Sequence, residues 1–195
     1  MRTILNKPIA IWIVLALPGL AALAGFAAGR LDTMEMLHPT GEWAVRWMVV
    51  AMAIGPLAEL AGSRGWARWL LARRRWFGFA AFLYALAHLV FYVIDMDTLA
   101  DMLAEITEHG IWTGWLALAL MALPGLTSTD AAMRALRRGW KRAQQFAYPA
   151  ALFTALHWGL LELHWGGVLV HFGPLVVLNL LRLGQRARQP KELTA

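Results

Sequence analysis

Six apolar stretches alternate along this chain with loops whose charge changes sign from one connection to the next. They fall near residues 8–28, 43–61, 76–94, 111–126, 143–163 and 168–183. Each is at or close to the roughly 20 residues that a helix needs to cross a bilayer. In hydrocarbon every backbone polar group must be satisfied within the segment, so such a chain folds as α-helices. Arg64, Arg68, Arg73, Arg74 and Arg75 lie between the second and third stretches, and Arg134, Arg137, Arg138, Lys141 and Arg142 between the fourth and fifth. Arg2 and Lys7 precede the first stretch, and Arg182, Arg186, Arg188 and Lys191 lie at or beyond the end of the sixth. Of the 18 Lys and Arg residues, only Arg30 and Arg46 fall on the other side, with Asp32, Glu35, Glu42, Asp95, Asp97, Asp101, Glu105 and Glu108. By the positive-inside rule this pattern predicts an all-α integral membrane bundle of six transmembrane helices, both termini cytoplasmic. One transmembrane domain spanning 1–195 is expected, since six helices leave no room for a soluble nucleotide-binding or substrate domain.

The first stretch also has features of a secretion signal, with Lys7 before it and small residues at 21–25. Its apolar length exceeds a usual signal core, and an uncleaved anchor is expected. Tryptophans cluster at the ends of the stretches, where amphipathic rings sit at the membrane interface. Residues 96–108 read as a short amphipathic helix on the outer surface. Asp130 is expected to cap a short helix after Thr127-Ser128-Thr129. A tight turn at Trp165-Gly166-Gly167 is expected to join the last two helices.

A pI near 10.5 raises nucleic acid as a partner. The basic residues, however, punctuate apolar stretches and form no aromatic-interleaved patch, so they read as topology signals. The absence of cysteine excludes disulfides, thiolate-bound iron–sulfur clusters, covalent c-type heme attachment and a cysteine nucleophile. Histidine is left as the strong metal ligand.

Two of the six histidines are placed where a membrane helix tolerates them least. His88 and His157 lie deep in the third and fifth stretches. At about 1.5 Å per residue, His88 is roughly 20 Å beyond Arg75 and His157 roughly 22 Å beyond Arg142. Two costly imidazoles at matching depth on different helices point to one shared ligand, with heme iron the natural candidate. Gly78, Ala81 and Ala85 precede His88 along its helix, and Ala143, Ala147, Ala150 and Thr154 precede His157. Such small-residue stripes leave a slot for a flat group or serve close helix packing. Arg46, about one turn inside the outer end of the second helix, suits a heme propionate through paired charge-assisted hydrogen bonds. It equally suits an ion pair with Glu42, four residues earlier. His38, His109, His164 and His171 map to outer loops or helix ends as solvated side chains, His164 being a substitute ligand if the register differs.

These residues carry a resemblance to the ferric-reductase-like transmembrane family. The matching stretches are Thr40-Gly41-Glu42-Trp43-Ala44-Val45-Arg46 with Gly55-Pro56-Leu57, and Arg74-Arg75 through Gly78, Tyr84, His88 and Tyr92. Thr127-Ser128-Thr129-Asp130 follows, then Gly139-Trp140-Lys141-Arg142 through Tyr148 to His157-Trp158. The resemblance implies a heme b protein of a bacterial inner membrane with His88 and His157 as the iron ligands, and FMN as a possible second cofactor. It also implies electrons taken from a cytoplasmic flavin reductase or quinol and passed to a periplasmic molybdopterin enzyme that reduces methionine sulfoxide.

One position departs from the family pattern. In the Trp140–Tyr148 segment, where relatives carry a further histidine, this chain has Gln144, a poor iron ligand. One heme is therefore expected. Bis-histidine ligation fills both axial positions and favours electron transfer over oxygen binding, so the chain reads as an electron-transfer subunit with no catalytic residue of its own. Two alternatives stay open: a transmembrane ferric or quinone reductase with a different acceptor, or a heme-free transporter or scaffold whose histidines relay protons or join helices.

Overall fold

The computed structural model describes residues 8–188 apart from Ser63 and His164. Arg2, Lys7, Lys191 and the substitute ligand His164 therefore lie outside the described residues. What is described is helical throughout, in ten helices. Five are long and apolar enough to cross a membrane: α1 (Pro8–Ala27), α2 (Thr33–Ala61), α4 (Arg74–Asp95), α6 (His109–Leu126) and α10 (Trp165–Arg188). The fifth apolar stretch is divided between α8 (Arg138–Gln145) and α9 (Ala147–Glu162), which meet at Phe146. With 16 residues α9 rises only about 24 Å, short of a bilayer core of about 30 Å. Three further short helices, α3 (Gly65–Leu71), α5 (Leu99–Glu105) and α7 (Asp130–Leu136), occupy the connections.

The start of α2 shows why a helix outruns its apolar stretch. Asp32 accepts from the Glu35 amide at 2.7 Å and Glu35 accepts from the Asp32 amide at 3.0 Å, a reciprocal capping box that satisfies two orphan donors. The helix therefore begins ten residues before the expected 43, adding Met36, Leu37 and Thr40 to the bundle. At its other end Gly62 turns the chain at φ 69°, a region a side chain disfavours.

Two connections differ from expectation. The cap of α7 is Thr129, whose hydroxyl accepts from the Ala132 amide at 3.1 Å, while Asp130 pairs with Arg75 of α4. The turn into α10 falls at left-handed Leu163 (φ 52°), and Trp165, Gly166 and Gly167 already belong to the helix. Two glycines instead serve packing. A Cβ on Gly159 meets the Trp165 ring at 2.5 Å, and one on Gly167 meets Trp158 at 2.9 Å, so each admits an indole from the facing helix. The outer helix anticipated at 96–108 is α5, capped by Thr98 and presenting Leu99, Leu103 and Ile106 to its surroundings.

The tightest pairings are α2 with α4 and α6 with α9, and α10 covers α2. Met48, Met52, Ala81, Phe82, Met121, Ala150, Ala151 and Leu175 form the central core. Ala81 and Ala150 are fully buried, so the middle of each small-residue stripe serves helix contact. On the other side Tyr84 docks α1. Its hydroxyl accepts from the Gly19 amide at 2.6 Å and donates to the Leu15 carbonyl at 3.0 Å, entering the helical ladder just after Pro18. Phenylalanine at position 84 leaves both backbone groups unpaired in apolar surroundings, at a cost of about 1–3 kcal/mol. The expected result is a lower melting temperature in detergent without loss of the site described next.

Candidate functional site

His88 on α4 and His157 on α9 face each other across the bundle, ring centroids 6.2 Å apart with planes at 84°. Each imidazole is fixed in the same way. The His88 Nδ1 lies 3.0 Å from the Leu37 carbonyl of α2, and the His157 Nδ1 lies 2.6 Å from the Gly110 carbonyl of α6. A carbonyl only accepts, so each Nδ1 carries the proton and each Nε2 keeps its lone pair. This is the tautomer and the backbone support that metal-ligating histidines use.

The two cradles are built alike. Three residues after each carbonyl stands a buried threonine, Thr40 and Thr113. Thr40 donates to the Met36 carbonyl at 2.7 Å and to Leu37 at 3.1 Å, and Thr113 to Gly110 at 2.7 Å and to His109 at 2.9 Å. Next comes a glycine against the imidazole. A Cβ on Gly41 meets the His88 ring at 3.1 Å, and one on Gly114 meets His157 at 2.6 Å. The Thr-Gly pairs at 40–41 and 113–114 are plain in the sequence, but neither their correspondence nor the role of Thr113 and Gly114 is legible without the carbonyls they accompany.

Both histidines line a cavity of about 480 Å³. Its wall is mainly apolar, including Val45, Met48, Leu89, Leu118 and Met121. Ala85 and Thr154, the stripe positions nearest the histidines, line it too, so the stripes serve packing in their middle and open space at this end. Among the described residues no three His, Cys, Asp or Glu side chains gather to hold a bare metal ion. Two imidazoles suit a metal whose other ligands arrive with it. The centroid separation of 6.2 Å leaves room for one metal ion about 2 Å from a nitrogen of each ring.

Arg46 realises the Glu42 pairing that its spacing offered. Its Nη2 bonds Glu42 Oε1, and its guanidinium stacks 4.5 Å from the Trp43 ring. Glu42 lines the cavity, whereas Arg46 is not part of its lining. His38 is exposed, 3.7 Å from Glu42. His171 departs from the solvated side chain expected. Only 18% exposed, it lies 4.0 Å from Glu42 and stacks on Trp158 at 4.9 Å.

A second cavity, about 450 Å³, lies toward the basic end, with Met48 and Met121 common to both walls. Arg74, Arg75, Lys141, Gln144, Trp140 and Tyr148 line it, and no histidine does. Gln144 donates to the Pro124 carbonyl and the Thr127 hydroxyl, both at 3.1 Å, tying α8 to the end of α6.

A helical bundle with five helices long and apolar enough to cross a membrane, and an apolar cavity between two histidines on separate helices, defines a multi-pass membrane protein. The chain belongs to the ferric reductase-like transmembrane family, whose model matches residues 40–155. It is similar to proteins named protein-methionine-sulfoxide reductase heme-binding subunit MsrQ. In Xanthomonas oryzae pv. oryzae (strain MAFF 311018) the identity is 35% over 140 residues, 70% of this chain and 62% of that protein. In Rhizobium meliloti (strain 1021) it is 32% over 159 residues, 77% of this chain and 71% of that protein. The chain thus spans somewhat less than two thirds of the Xanthomonas relative.

Proposed function

We propose that this chain is a membrane cytochrome b subunit that relays electrons across a bacterial inner membrane, with one heme b held by His88 and His157. The observation that carries this reading is the pair of imidazoles with Nδ1 committed to backbone carbonyls and Nε2 left for a metal, in the wall of one apolar cavity. Heme supplies four of its iron's ligands itself and needs only these two. Bound there, it provides one-electron chemistry, and the apolar wall keeps water from the site.

In the proposed topology α9, with α8 before it, makes a sixth crossing, and both termini are cytoplasmic. The paired histidines then lie toward the periplasm. A molybdopterin methionine sulfoxide reductase on that face is the proposed acceptor, and a cytoplasmic flavin reductase or quinol the donor. FMN, where it takes part, is proposed for the cavity at the basic end, where Arg74, Arg75 and Lys141 supply charges for its phosphate. That cavity offers iron no imidazole, which supports one heme. Arg46 would reach a propionate only by giving up its pairing with Glu42.

Absorbance of protein expressed with ample heme and purified in detergent tests this. A Soret band with about one heme per chain by pyridine hemochrome is expected. No Soret band removes the proposal in favour of a heme-free transporter or scaffold, and two hemes per chain refute the single ligand pair.

A further inference from the structure

The ion pair at the acidic end of the cavity has no part in ligation, yet the fold holds it with care. Glu42 and Arg46 are one turn apart on α2, with the carboxylate in the cavity wall and the guanidinium beyond it against Trp43. Two more groups face the carboxylate: His38 on α2, 3.7 Å away, and His171 on α10, 4.0 Å away. His171 is itself fixed. Its Nδ1 donates to the Gly167 carbonyl at 2.8 Å, which leaves Nε2 toward Glu42, and its ring rests on Trp158, the residue after His157 and part of the cavity wall. Glu162 of α9 is the other carboxylate lining the cavity, and it is exposed. Glu42, with a side chain 21% exposed, is the carboxylate that two helices orient.

We propose that Glu42 sets the reduction potential of the cofactor in this cavity, and that Arg46 is a positioning residue that holds its carboxylate and offsets its charge, with His171 packed beside the pair. This rests on the reading of the cavity as the seat of a one-electron cofactor. Reduction adds one negative charge to the site. A carboxylate in an apolar wall opposes that charge and a guanidinium favours it, and the half-buried position of the pair leaves neither fully screened. Because the pair turns its negative end to the cavity, its net effect is to favour the oxidised form and keep the cofactor a willing electron donor. Glu42 belongs to the same Thr-Gly-Glu segment that cradles His88, so the segment both orients the ligand and places the charge.

Optical redox titration of the heme-loaded protein in nanodiscs tests this with Glu42→Gln, Arg46→Gln and the double variant. The midpoint rises in Glu42→Gln, falls in Arg46→Gln, and in the double variant lies nearer the parent than in either single change. His171→Phe keeps a ring on Trp158 and leaves the Glu42–Arg46 pair in place, so its midpoint stays nearer the parent than that of Glu42→Gln or Arg46→Gln. Opposite signs from two residues in contact mark a charge effect, since general loosening of the cavity moves both the same way. Unchanged midpoints, or single shifts of one sign, overturn the proposal. If Glu42→Gln does not load heme, a midpoint in Arg46→Gln that fails to fall overturns it as well. Parent protein without heme removes the cofactor reading together with this one. Heme present with potentials that do not move removes this one alone.

Discussion

Alanine at His88 or at His157 removes the heme Soret band from the purified protein while the helical bundle persists. In the proposed site each imidazole is one of the two protein ligands, and among the described residues no group of three His, Cys, Asp or Glu is placed to hold a metal without them. Loss of groups that merely support a ligand costs roughly 10–100-fold in metal affinity, and loss of the ligand itself costs more, on the order of 100-fold or beyond. The bundle is expected to survive because its core packs around Met48, Met52, Phe82 and Met121 rather than around the imidazoles. Alanine at either position does leave a backbone carbonyl, Leu37 or Gly110, without its imidazole donor, but the neighbouring threonine hydroxyl still reaches each. Heme content per chain, read beside circular dichroism and size-exclusion elution, separates lost ligation from lost fold. Glycine in place of either histidine, with imidazole added, restores absorbance if the cavity remains open. Retention of an unchanged spectrum in both alanine variants removes the assignment.

Hydropathy made the long helices legible because it responds to the same lipid that forces backbone bonds inside a segment. α1, α4, α6 and α10 begin and end within five residues of their apolar stretches. The capping box that starts α2 is a local sequence signal too, but it lies in a polar turn where an apolar window has nothing to count. The short helices α3 and α8 were hidden for the same reason, being written in the arginine-rich connections that mark topology, whereas α7 was anticipated with its cap one residue off. The histidine pair was legible from cost alone, since an imidazole deep in an apolar helix needs a use. Its supports were not. Leu37 and Gly110 act through their carbonyls, and no side-chain pattern reports which backbone oxygen will face an imidazole. His171 was misplaced among solvated residues because its burial depends on α10 crossing beside Glu42 of α2, a contact separated by most of the chain.

Alanine at Gly114 is expected to damage heme binding nearly as severely as loss of a cradle hydrogen bond, and more than alanine at Gly41. The added Cβ at position 114 meets His157 Nδ1 and Cε1 at 2.6 Å, closer than real Cβ contacts come. The ring must give way, and the direction open to it is away from the α6 backbone. That movement stretches the 2.6 Å bond to the Gly110 carbonyl which fixes the Nε2 lone pair. Backbone partners of this kind are worth roughly 10–100-fold in metal affinity. At Gly41 the corresponding contacts are 3.1 and 3.2 Å, so the His88 ring yields by a few tenths of an ångström and keeps its bond to Leu37. Heme titration into the apoprotein should therefore rank affinity as parent, then Gly41→Ala, then Gly114→Ala, with valine at 114 abolishing binding. The electron paramagnetic resonance of the heme-loaded ferric protein should change most in Gly114→Ala, since the orientation of the His157 ring is what the substitution disturbs. Equal affinities for all three proteins mean that the two glycines are packing residues, and that His157 does not depend on Gly110 for its orientation.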